Sequence, residues 1–316
     1  MTTTSTDVLD VRAAARRDRR RRQVSYVIYL VLGIVLFLLF WHLLAVAFSP
    51  LASFIPTPID TVIHFGKNLF FSEPMMGRFV HACPELVAEV EFRRGRMSGL
   101  PDHCFGYILH LLWTTRNILA AVALGTVIGL GVGLGSLLLP WIADMVTPVA
   151  GFFGTIPIFM VAPFFVIWFG IEHPLLATIG LVVFYTTLLM YFFSRRAAQN
   201  IPVEIIESAL TRGGDRRTMF RWVYLRGTIP EIAGGLRITL GGAWGLGTLM
   251  EVMGSQMGGG FLIRMWSHAA GLSEGPTGMV SLILFFGVLA VVVDGILVLV
   301  IRSFTGWSEA GRRLGL

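Results

Sequence analysis

The sequence has 316 residues, of which 55% are hydrophobic and 14% are charged, and its formal net charge is +6. Soluble proteins average about 25% charged residues, so this composition excludes a cytosolic enzyme, a nucleic-acid-binding protein and a disordered linker. It indicates a membrane protein, in which the excess of arginine is expected to mark the segments that face the cytoplasm.

A block of arginines precedes the first hydrophobic run; its members are Arg12, Arg16, Arg17, Arg19, Arg20, Arg21 and Arg22. A basic segment in this position is typical of a cytoplasmic flank, so we predict a basic cytoplasmic tail over 1–23 that contacts anionic lipid headgroups. No charged residue occurs from Gln23 to Ile59. That run is too long for the hydrophobic region of a cleaved signal peptide.

A membrane-spanning helix needs about 20 mostly hydrophobic residues. Six windows meet or approach this requirement, and they are 26–48 (within a first segment 24–48), 118–139, 145–171, 175–193, 237–251 and 280–301. The fifth window is weak, because only 13 uncharged residues separate Arg237 from Glu251. The sequence therefore predicts an all-α membrane protein with about six transmembrane helices.

Alternating sides from a cytoplasmic N-terminus puts 49–109 outside the membrane, and 195–236 and the tail 306–316 inside. Segment 195–236 has seven arginines against four acidic residues, whereas 71–108 has four arginines against five acidic residues. The arginine distribution thus agrees with this orientation. We expect a core of five transmembrane helices over 110–305, with both termini cytoplasmic.

The second span contains five glycines, of which the last four are at alternate positions: Gly125, Gly129, Gly131, Gly133 and Gly135. Small residues allow membrane helices to approach closely, so this run indicates a tightly packed bundle core. Hinge motion is the alternative interpretation.

Cys83 and Cys104 are the only cysteines, and both fall in the segment predicted to lie outside. A disulfide would persist there if the compartment is oxidising, and it would contribute about 3 kcal/mol in the chain-entropy model. Two free thiols, or a zinc pair with His81 and His103, are the alternatives. The short His81–Cys83 and His103–Cys104 spacings are poor for one metal centre, so no metal site is predicted.

Ionisable residues inside spans are costly and usually face the bundle interior. Arg237 begins the fifth span and Asp294 lies near the cytoplasmic end of the sixth, so the two are expected at similar depths and predict an ion pair. Glu251 lies about 21 Å beyond Arg237 along a helix. It either lines a substrate path or is exposed to solvent at its mouth.

The cytoplasmic segment 195–236 has the pattern of two short helices joined by a glycine turn. The first, about 202–212, is expected to end at Gly213. The second, about 216–225, is expected to be capped by Asp215 and to be broken by Gly227 and Pro230 before the fifth span. An amphipathic helix exposed at the face of a bundle needs a partner to cover its apolar side.

This segment carries a recognisable motif, whose matching residues are Glu207, Ser208, Ala209, Gly213, Val223 and Leu225. The motif resembles the EAA loop of the permease subunits of binding-protein-dependent ABC importers. It has Ser for the first Ala, Val for Ile, and Arg226 where the family pattern has Pro. The resemblance implies that Glu207, Ser208, Ala209 and Gly213 form a coupling helix that contacts an ATPase subunit.

The resemblance covers about 110–310 and extends to the nitrate, sulfonate and taurine branch of this family. It is carried there by Gly234, Gly235, Leu236, Arg237, Gly242, Ala243, Trp244, Glu251, Gly258, Gly259, Gly260, Asp294 and Trp307. It implies a type I ABC importer permease fold in a bacterial inner membrane. The segment 71–108 departs from the branch and is interpreted as an insertion.

The resemblance further implies a multi-pass permease that passes a small anionic solute from a periplasmic binding protein by alternating access. Nitrate, sulfonates, taurine and aromatic carboxylates are the candidate solutes. A second permease copy, as a homodimer, or a different permease, as a heterodimer, would complete the path. The sequence contains no GxxxxGK[ST] loop, so ATP and Mg are expected on a separate ATPase subunit, and no cofactor or catalytic residue is assigned to this chain. The alternative is a secondary transporter or channel without an ATPase.

Overall fold

The computed structural model describes residues 5–48, 55–69, 106–169, 172–255, 257–268 and 275–305. For 5–20, 22–23 and 304–305 it describes the backbone alone. All regular structure in these ranges is helical, which confirms the predicted fold class. Cys83, Cys104 and residues 71–105 of the predicted insertion 71–108 lie outside the described residues. The chain divides into two units, Met1–Ile63 and His64–Leu316.

The first unit is dominated by α1 (Ser5–Phe48), a helix of 44 residues. Its part from Val24 to Phe48 is long and apolar enough to cross a membrane, and the predicted first span lies within it. The backbone is helical from Ser5, so the basic tail continues the same helix. Within this helix, Trp41 Nε1 donates a hydrogen bond to the carbonyl oxygen of Pro56, which follows the helix, at 3.0 Å.

A short helix, α2 (Pro58–Lys67), follows at the boundary between the units. The Thr57 hydroxyl accepts from the Asp60 amide at 3.2 Å and donates to the Asp60 carboxylate at 2.6 Å. These reciprocal bonds form a capping arrangement that satisfies an otherwise unpaired amide of the first turn.

The core of the second unit is built from α3 (Tyr107–Leu138), α6 (Pro174–Gln199) and α9 (Leu225–Gly254). Glycines of α3 bring it very close to α6: a Cβ at Gly125 would lie 2.6 Å from Thr186 Cβ, and one at Gly129 would lie 2.6 Å from the Thr187 carbonyl oxygen. Buried apolar side chains of all three helices fill the space between them.

The predicted third span is two helices, α4 (Pro140–Thr155) and α5 (Ile158–Phe169), bent by 102° at the break between them. Ile156, just before Pro157, has an extended backbone with φ −78° and ψ 128°. Proline disfavours helical dihedrals in the preceding residue and lacks an amide hydrogen. The Ile156–Pro157 pair therefore ends one helix and begins the next, so the predicted span is broken.

The cytoplasmic segment contains α7 (Val203–Thr211) and α8 (Arg216–Thr218), which passes through a π-helical turn, Met219–Tyr224, into α9. The expectation that the second helix ends before Pro230 is wrong, because the helical backbone continues through that residue. Gly227 does not break the helix either. A Cβ there would lie 3.1 Å from Ile201 Cδ1, so Gly227 permits close packing.

Two further helices complete the described chain: α10 (Gly259–His268) and α11 (Gly275–Thr305). Within the described ranges, four helices are long and apolar enough to span a membrane, and the bent pair α4–α5 makes a fifth if it counts as one span. Helix α9, the weak fifth window, is not among them. Its 30 residues carry several charged groups, and it packs mainly against α6, α10 and α3.

Candidate functional site

The segment between α6 and α9 contains α7, which ends in a defined turn. Helix α7 ends in a Schellman motif. The Gly214 amide donates to the Ala209 carbonyl at 3.0 Å, and the Gly213 amide donates to the Leu210 carbonyl at 2.9 Å. Gly213 has φ +80°, a left-handed conformation that costs other residues about 1–2 kcal/mol. The glycine turn predicted from the sequence is therefore present.

None of the residues of α7 is buried. Glu207 and Ser208 are exposed, and so are the apolar side chains of Val203, Ile205 and Leu210. Exposed apolar groups at this density are typical of a surface that a partner covers. All four predicted coupling residues thus lie in α7 or in the turn that ends it.

Two open grooves flank α7. One, of about 560 Å³, lies beside Ile201, Ile205 and Trp222. The other, of about 320 Å³, lies between Ile206, Leu210 and the π-helical turn. The Arg226 guanidinium is 4.1 Å from the centroid of a Trp222 ring at the edge of the first groove. Both grooves are largely apolar and combine with α7 into one surface.

Several polar contacts fix this surface to the bundle. Asp215 caps α8 by accepting from the Thr218 amide at 3.0 Å, and the hydrogen bonds from Thr218 lower the pKa of the Asp215 carboxyl. Arg216 donates to the Leu138 carbonyl at the end of α3. The Asn200 amide group donates to both Glu231 carboxylate oxygens, at 2.9 and 3.0 Å. These contacts attach the segments on either side of α7 to α3, α6 and α9.

The structure brings Arg237 of α9 together with Asp294 of α11. Arg237 Nη2 is 2.6 Å from Asp294 Oδ2, and Arg237 Nε is 2.9 Å from Asp294 Oδ1. This bidentate geometry is the strongest form of a carboxylate–guanidinium contact. About a third of each side chain is exposed, 34% for Arg237 and 37% for Asp294.

Glu251 is buried, with only 2% of its surface exposed. The Thr114 hydroxyl lies 2.8 and 2.7 Å from its two carboxyl oxygens, and the Gly260 amide donates to Oε2 at 3.0 Å. Among the described residues, the ion pairs are Arg196–Glu231 and Arg237–Asp294, and neither involves Glu251. This burial contradicts the solvent-exposed alternative, and the assignment of Glu251 to a substrate path stays a prediction.

Thr114, Glu251, His110 and the turn 257–260 form a compact unit that we call the Glu251 cluster. The Gly258 amide donates to His110 Nδ1 at 3.0 Å, and the Gly259 amide donates to Thr114 Oγ1 at 2.8 Å. Gly258 has φ +113°, and a Cβ on it would lie 2.4 Å from the Glu251 carboxyl. A Cβ on Gly260 would likewise lie 2.6 Å from Glu251 Cβ, so Gly258 and Gly260 permit the close approach of this turn to Glu251.

Sequence reasoning singled out neither Thr114 nor His110 as a partner of Glu251. The available signal was their spacing of four residues, which puts both side chains on one face of a helix. No local pattern connects that face with a turn some 145 positions later. Within the described chain, no group of three or more His, Cys, Asp or Glu side chains could hold a metal ion.

Comparison with known proteins finds relatives that are all described as components of transport systems. A family model described as "Binding-protein-dependent transport system inner membrane component" matches residues 121–306. The taurine transport system permease protein TauC of Escherichia coli (strain K12) is 28% identical over 156 residues, which are 49% of this chain and 56% of that protein. The chain thus aligns with little more than half the length of TauC.

Other relatives align over more of their length. A probable ABC transporter permease of Brucella abortus (strain 2308) is 28% identical over 61% of this chain and 75% of that protein. The putative aliphatic sulfonates transport permease SsuC of Bacillus subtilis (strain 168) is 27% identical over 60% and 67%. Among solved structures, a chain of an inward-facing MetNI methionine ABC transporter has a TM-score of 0.51 at 20% identity, covering 62% of this chain and 95% of that chain. That likeness concerns the fold alone.

Proposed function

Because the chain belongs to the family of binding-protein-dependent transport system inner membrane components, we propose that it is the permease subunit of an ATP-driven importer. In this proposal α7 is the coupling helix, and it docks on a separate ATPase subunit that holds ATP and Mg. A periplasmic binding protein delivers the solute. Two permease copies, as a homodimer, enclose the path.

The observation that carries the proposal is the exposure of α7. A nine-residue helix without a buried residue gains little from its own chain, since isolated short helices are marginal in water. Its amphipathic face and the two adjoining grooves are suited to insertion into a complementary cleft. Glu207 offers that cleft a carboxylate, and the small side chains of Ser208 and Ala209 allow close approach.

Coupling follows from the way α7 is attached. At one end the Schellman turn leads through α8 and the π-helical turn into α9, and at the other end Asn200 is bonded to Glu231 of α9. Closure of two ATPase subunits would displace α7, and α9 would move with it. Since α9 packs on α6 and α10, this displacement would alter the bundle and switch access from one side to the other.

For the solute we propose a small sulfonate, with taurine as the first compound to test. The support is the naming of two relatives, a taurine permease and a putative aliphatic sulfonates permease. Nitrate and aromatic carboxylates belong to the same anionic class and serve as competitors in the assay.

The test is co-purification of the tagged chain with the ATPase subunit encoded by its host, followed by ATPase and taurine-uptake assays. Gly213→Arg is expected to reduce co-purification and coupled ATPase activity about tenfold, because the left-handed conformation of this residue disfavours arginine by about 1–2 kcal/mol and its loss would redirect the chain after α7. Glu207→Ala is expected to reduce coupled activity severalfold through loss of a charge-assisted contact.

Gly66→Arg and Glu172→Ala are the matched controls, since both positions are exposed and lie away from the loop. Both controls should behave as wild type. Recovery of wild type without an ATPase, together with uptake that survives both loop substitutions, would contradict the proposal and favour a secondary transporter. ATPase coupling without taurine uptake would refute only the choice of solute.

A further inference from the structure

The C-terminal end of α3 lacks a hydrogen-bond donor that a continuous helix would supply. The last four carbonyls of an α-helix have no intrahelical partner. Here the chain turns at once into α4 through Leu139 and Pro140, and proline has no amide hydrogen to offer. The amide that would pair with the Leu138 carbonyl, that of Ile142, donates to the Leu139 carbonyl at 3.0 Å instead. The end of α3 is therefore open to side-chain donors from other parts of the chain.

Two arginines supply such donors. Arg195, near the end of α6, donates from Nη1 to Ser136 Oγ at 2.8 Å. Arg216, the first residue of α8, donates from Nη2 to the Leu138 carbonyl. Positive charge is favourable at a helix C-terminus, and neither arginine forms an ion pair with an acidic residue of the described chain. Both side chains thus contact the end of α3.

The two contacts differ in what they join. Helix α6 already packs closely on α3 through glycines, so Arg195 adds one bond between neighbouring helices. Arg216 lies three residues after Gly213, the left-handed residue that ends α7. Its contact therefore joins the turn after α7 to the corner between α3 and α4.

Hydrogen bonds on both sides fix the position of Arg216 relative to α7. Before it, the Gly214 amide donates to the Ala209 carbonyl of α7 at 3.0 Å. After it, the Thr218 amide donates to the Asp215 carboxylate at 3.0 Å. Because Arg216 stands between these two bonded turns, its backbone is expected to follow α7 when that helix is displaced.

A groove separates α7 from the end of α3. It is open, has a volume of about 320 Å³, and is lined by Ile206 and Leu210 of α7 and by Leu138 of α3, among others. Arg216 is the charged residue of this lining, and it donates to the Leu138 carbonyl. Its guanidinium therefore supplies a hydrogen bond where the apolar side chains of the two helices leave open space.

The corner that Arg216 contacts is the starting point of the bent pair α4–α5. Leu139 has a non-helical backbone, with φ −126° and ψ 88°, and is the one residue between α3 and α4. A shift of the Leu138 carbonyl would therefore change the position from which α4 begins. This connection is distinct from the one between α7 and α9, which runs through the π-helical turn.

We propose that Arg216 is a positioning residue for coupling: its bond to the Leu138 carbonyl ties the turn after α7 to the corner between α3 and α4, so that displacement of α7 moves the start of α4–α5. This inference rests on the proposed function, because it takes α7 to be the helix that an ATPase subunit moves. The rival is an ordinary surface arginine, whose substitution has little effect. Arg217, the next residue, is also exposed and provides the matched control.

The test uses the full-length chain with its ATPase subunit in lipid nanodiscs. Both native cysteines are replaced by serine, and spin labels are attached to Thr211→Cys on α7 and Asp144→Cys on α4, two exposed positions. Double electron–electron resonance measures the distance between the labels with and without ATP and vanadate. With Arg216 intact this distance is expected to stay constant, since the two elements move together. In Arg216→Gln it is expected to change when ATP and vanadate are added.

Coupling provides the second readout, measured as taurine uptake per ATP hydrolysed in the chain with its native cysteines. Arg216→Gln is expected to lower this ratio about fivefold, the lower end of the usual coupling between two sites. The affinity for the ATPase subunit and the Tm should stay at the wild-type values. Arg216→Lys keeps a charged donor and should restore most of the ratio, and Arg217→Gln should behave as wild type.

Three results would overturn the proposal. They are a label distance that changes with ATP while Arg216 is intact, a label distance that stays constant in Arg216→Gln, and equal uptake ratios in Arg216→Gln and Arg217→Gln. Loss of ATPase binding in Arg216→Gln would also overturn it, by assigning the arginine to the docking contact. Failure of the unsubstituted chain to bind an ATPase subunit would instead refute the proposed function, and this inference with it. The label distance needs no solute, so it decides the matter even if taurine is not transported.

Discussion

Arg237 and Asp294 hold α9 and α11 together by a bidentate contact within the hydrophobic part of the chain. Removing one partner leaves the other charge without compensation, which costs far more than the pair contributes. We predict that Asp294→Asn and Arg237→Gln each lower the free energy of unfolding by about 1–3 kcal/mol, a range set by the cost of unpaired charge in a membrane and reduced for partial exposure.

The double variant Arg237→Gln/Asp294→Asn is the informative comparison, since it leaves two amides that can bond to each other. Thermal unfolding of the purified protein in detergent would measure all three. We expect the double variant to be more stable than either single variant, which is the sign of coupling in a double-mutant cycle. Additive losses would show that the two side chains do not support each other.

The contacts of some residues could be predicted from the sequence, whereas those of others could not. The Arg237–Asp294 contact was predictable because two lone charges at similar depth in apolar helices have few other partners. The burial of Glu251 was not, because its contact with Thr114 joins positions 137 apart in sequence. Gly213 was recognisable because a glycine after an amphipathic helix has a specific conformational use.

At the scale of helices, α3 and α6 pack through glycine. The sequence predicted close packing from five glycines of the second span, but a helix turns 100° per residue, so positions two residues apart cannot share one face. Gly125, Gly129 and Gly133 face α6, whereas added Cβ atoms at Gly131 and Gly135 would meet nothing within 4 Å. The tight-packing interpretation therefore applies to three of the five positions.

This difference yields a matched pair of substitutions on one helix. A Cβ at Gly129 would lie 2.6 Å from a backbone oxygen of α6, so Gly129→Ala is predicted to lower the free energy of unfolding by about 1–3 kcal/mol, as overpacking does. Gly131→Ala should be neutral or slightly stabilising, because alanine is the better helix former by about 1 kcal/mol. Equal thermal stability of the two variants would contradict the packing described for α3 and α6.

Elements defined by hydrophobic length were predicted well, whereas breaks and continuations were not. The windows for α1, α3, α6 and α11 coincide with helices that meet the criteria for a span. The sequence predicted a continuous span through Pro157 and a helix end before Pro230. The structure has a break at Pro157 and a continuous helix through Pro230. Proline removes one hydrogen bond in both places, and packing of the flanking residues decides whether the helix survives that loss.

At the scale of the whole molecule, the orientation of α7 depends on whether the bent pair α4–α5 crosses the membrane. Its arms of 16 and 12 residues are about 24 and 18 Å long. With the bend of 102°, their outer ends are about 27 Å apart, close to the roughly 30 Å of a hydrocarbon core. The pair can therefore connect the two faces only when those ends point to opposite sides.

The distribution of arginines indicates that the bent pair α4–α5 crosses the membrane. If the pair returned to the side from which it entered, the arginine-rich segment 195–236 would lie outside and α7 could not meet a cytoplasmic ATPase. We predict that an alkaline phosphatase fusion after Glu172 is active and a green fluorescent protein fusion there is dark. Fusions after Arg212 should give the reverse result, since α6 crosses between these points.

A fusion after Leu139 serves as the control for the entry side and should match the Arg212 fusion. If the Glu172 and Leu139 fusions report the same side, α4–α5 is re-entrant and the cytoplasmic assignment of α7 fails with it. Because the arginine excess of 195–236 favours the cytoplasmic side, we expect the fusions to place Glu172 outside and Arg212 inside.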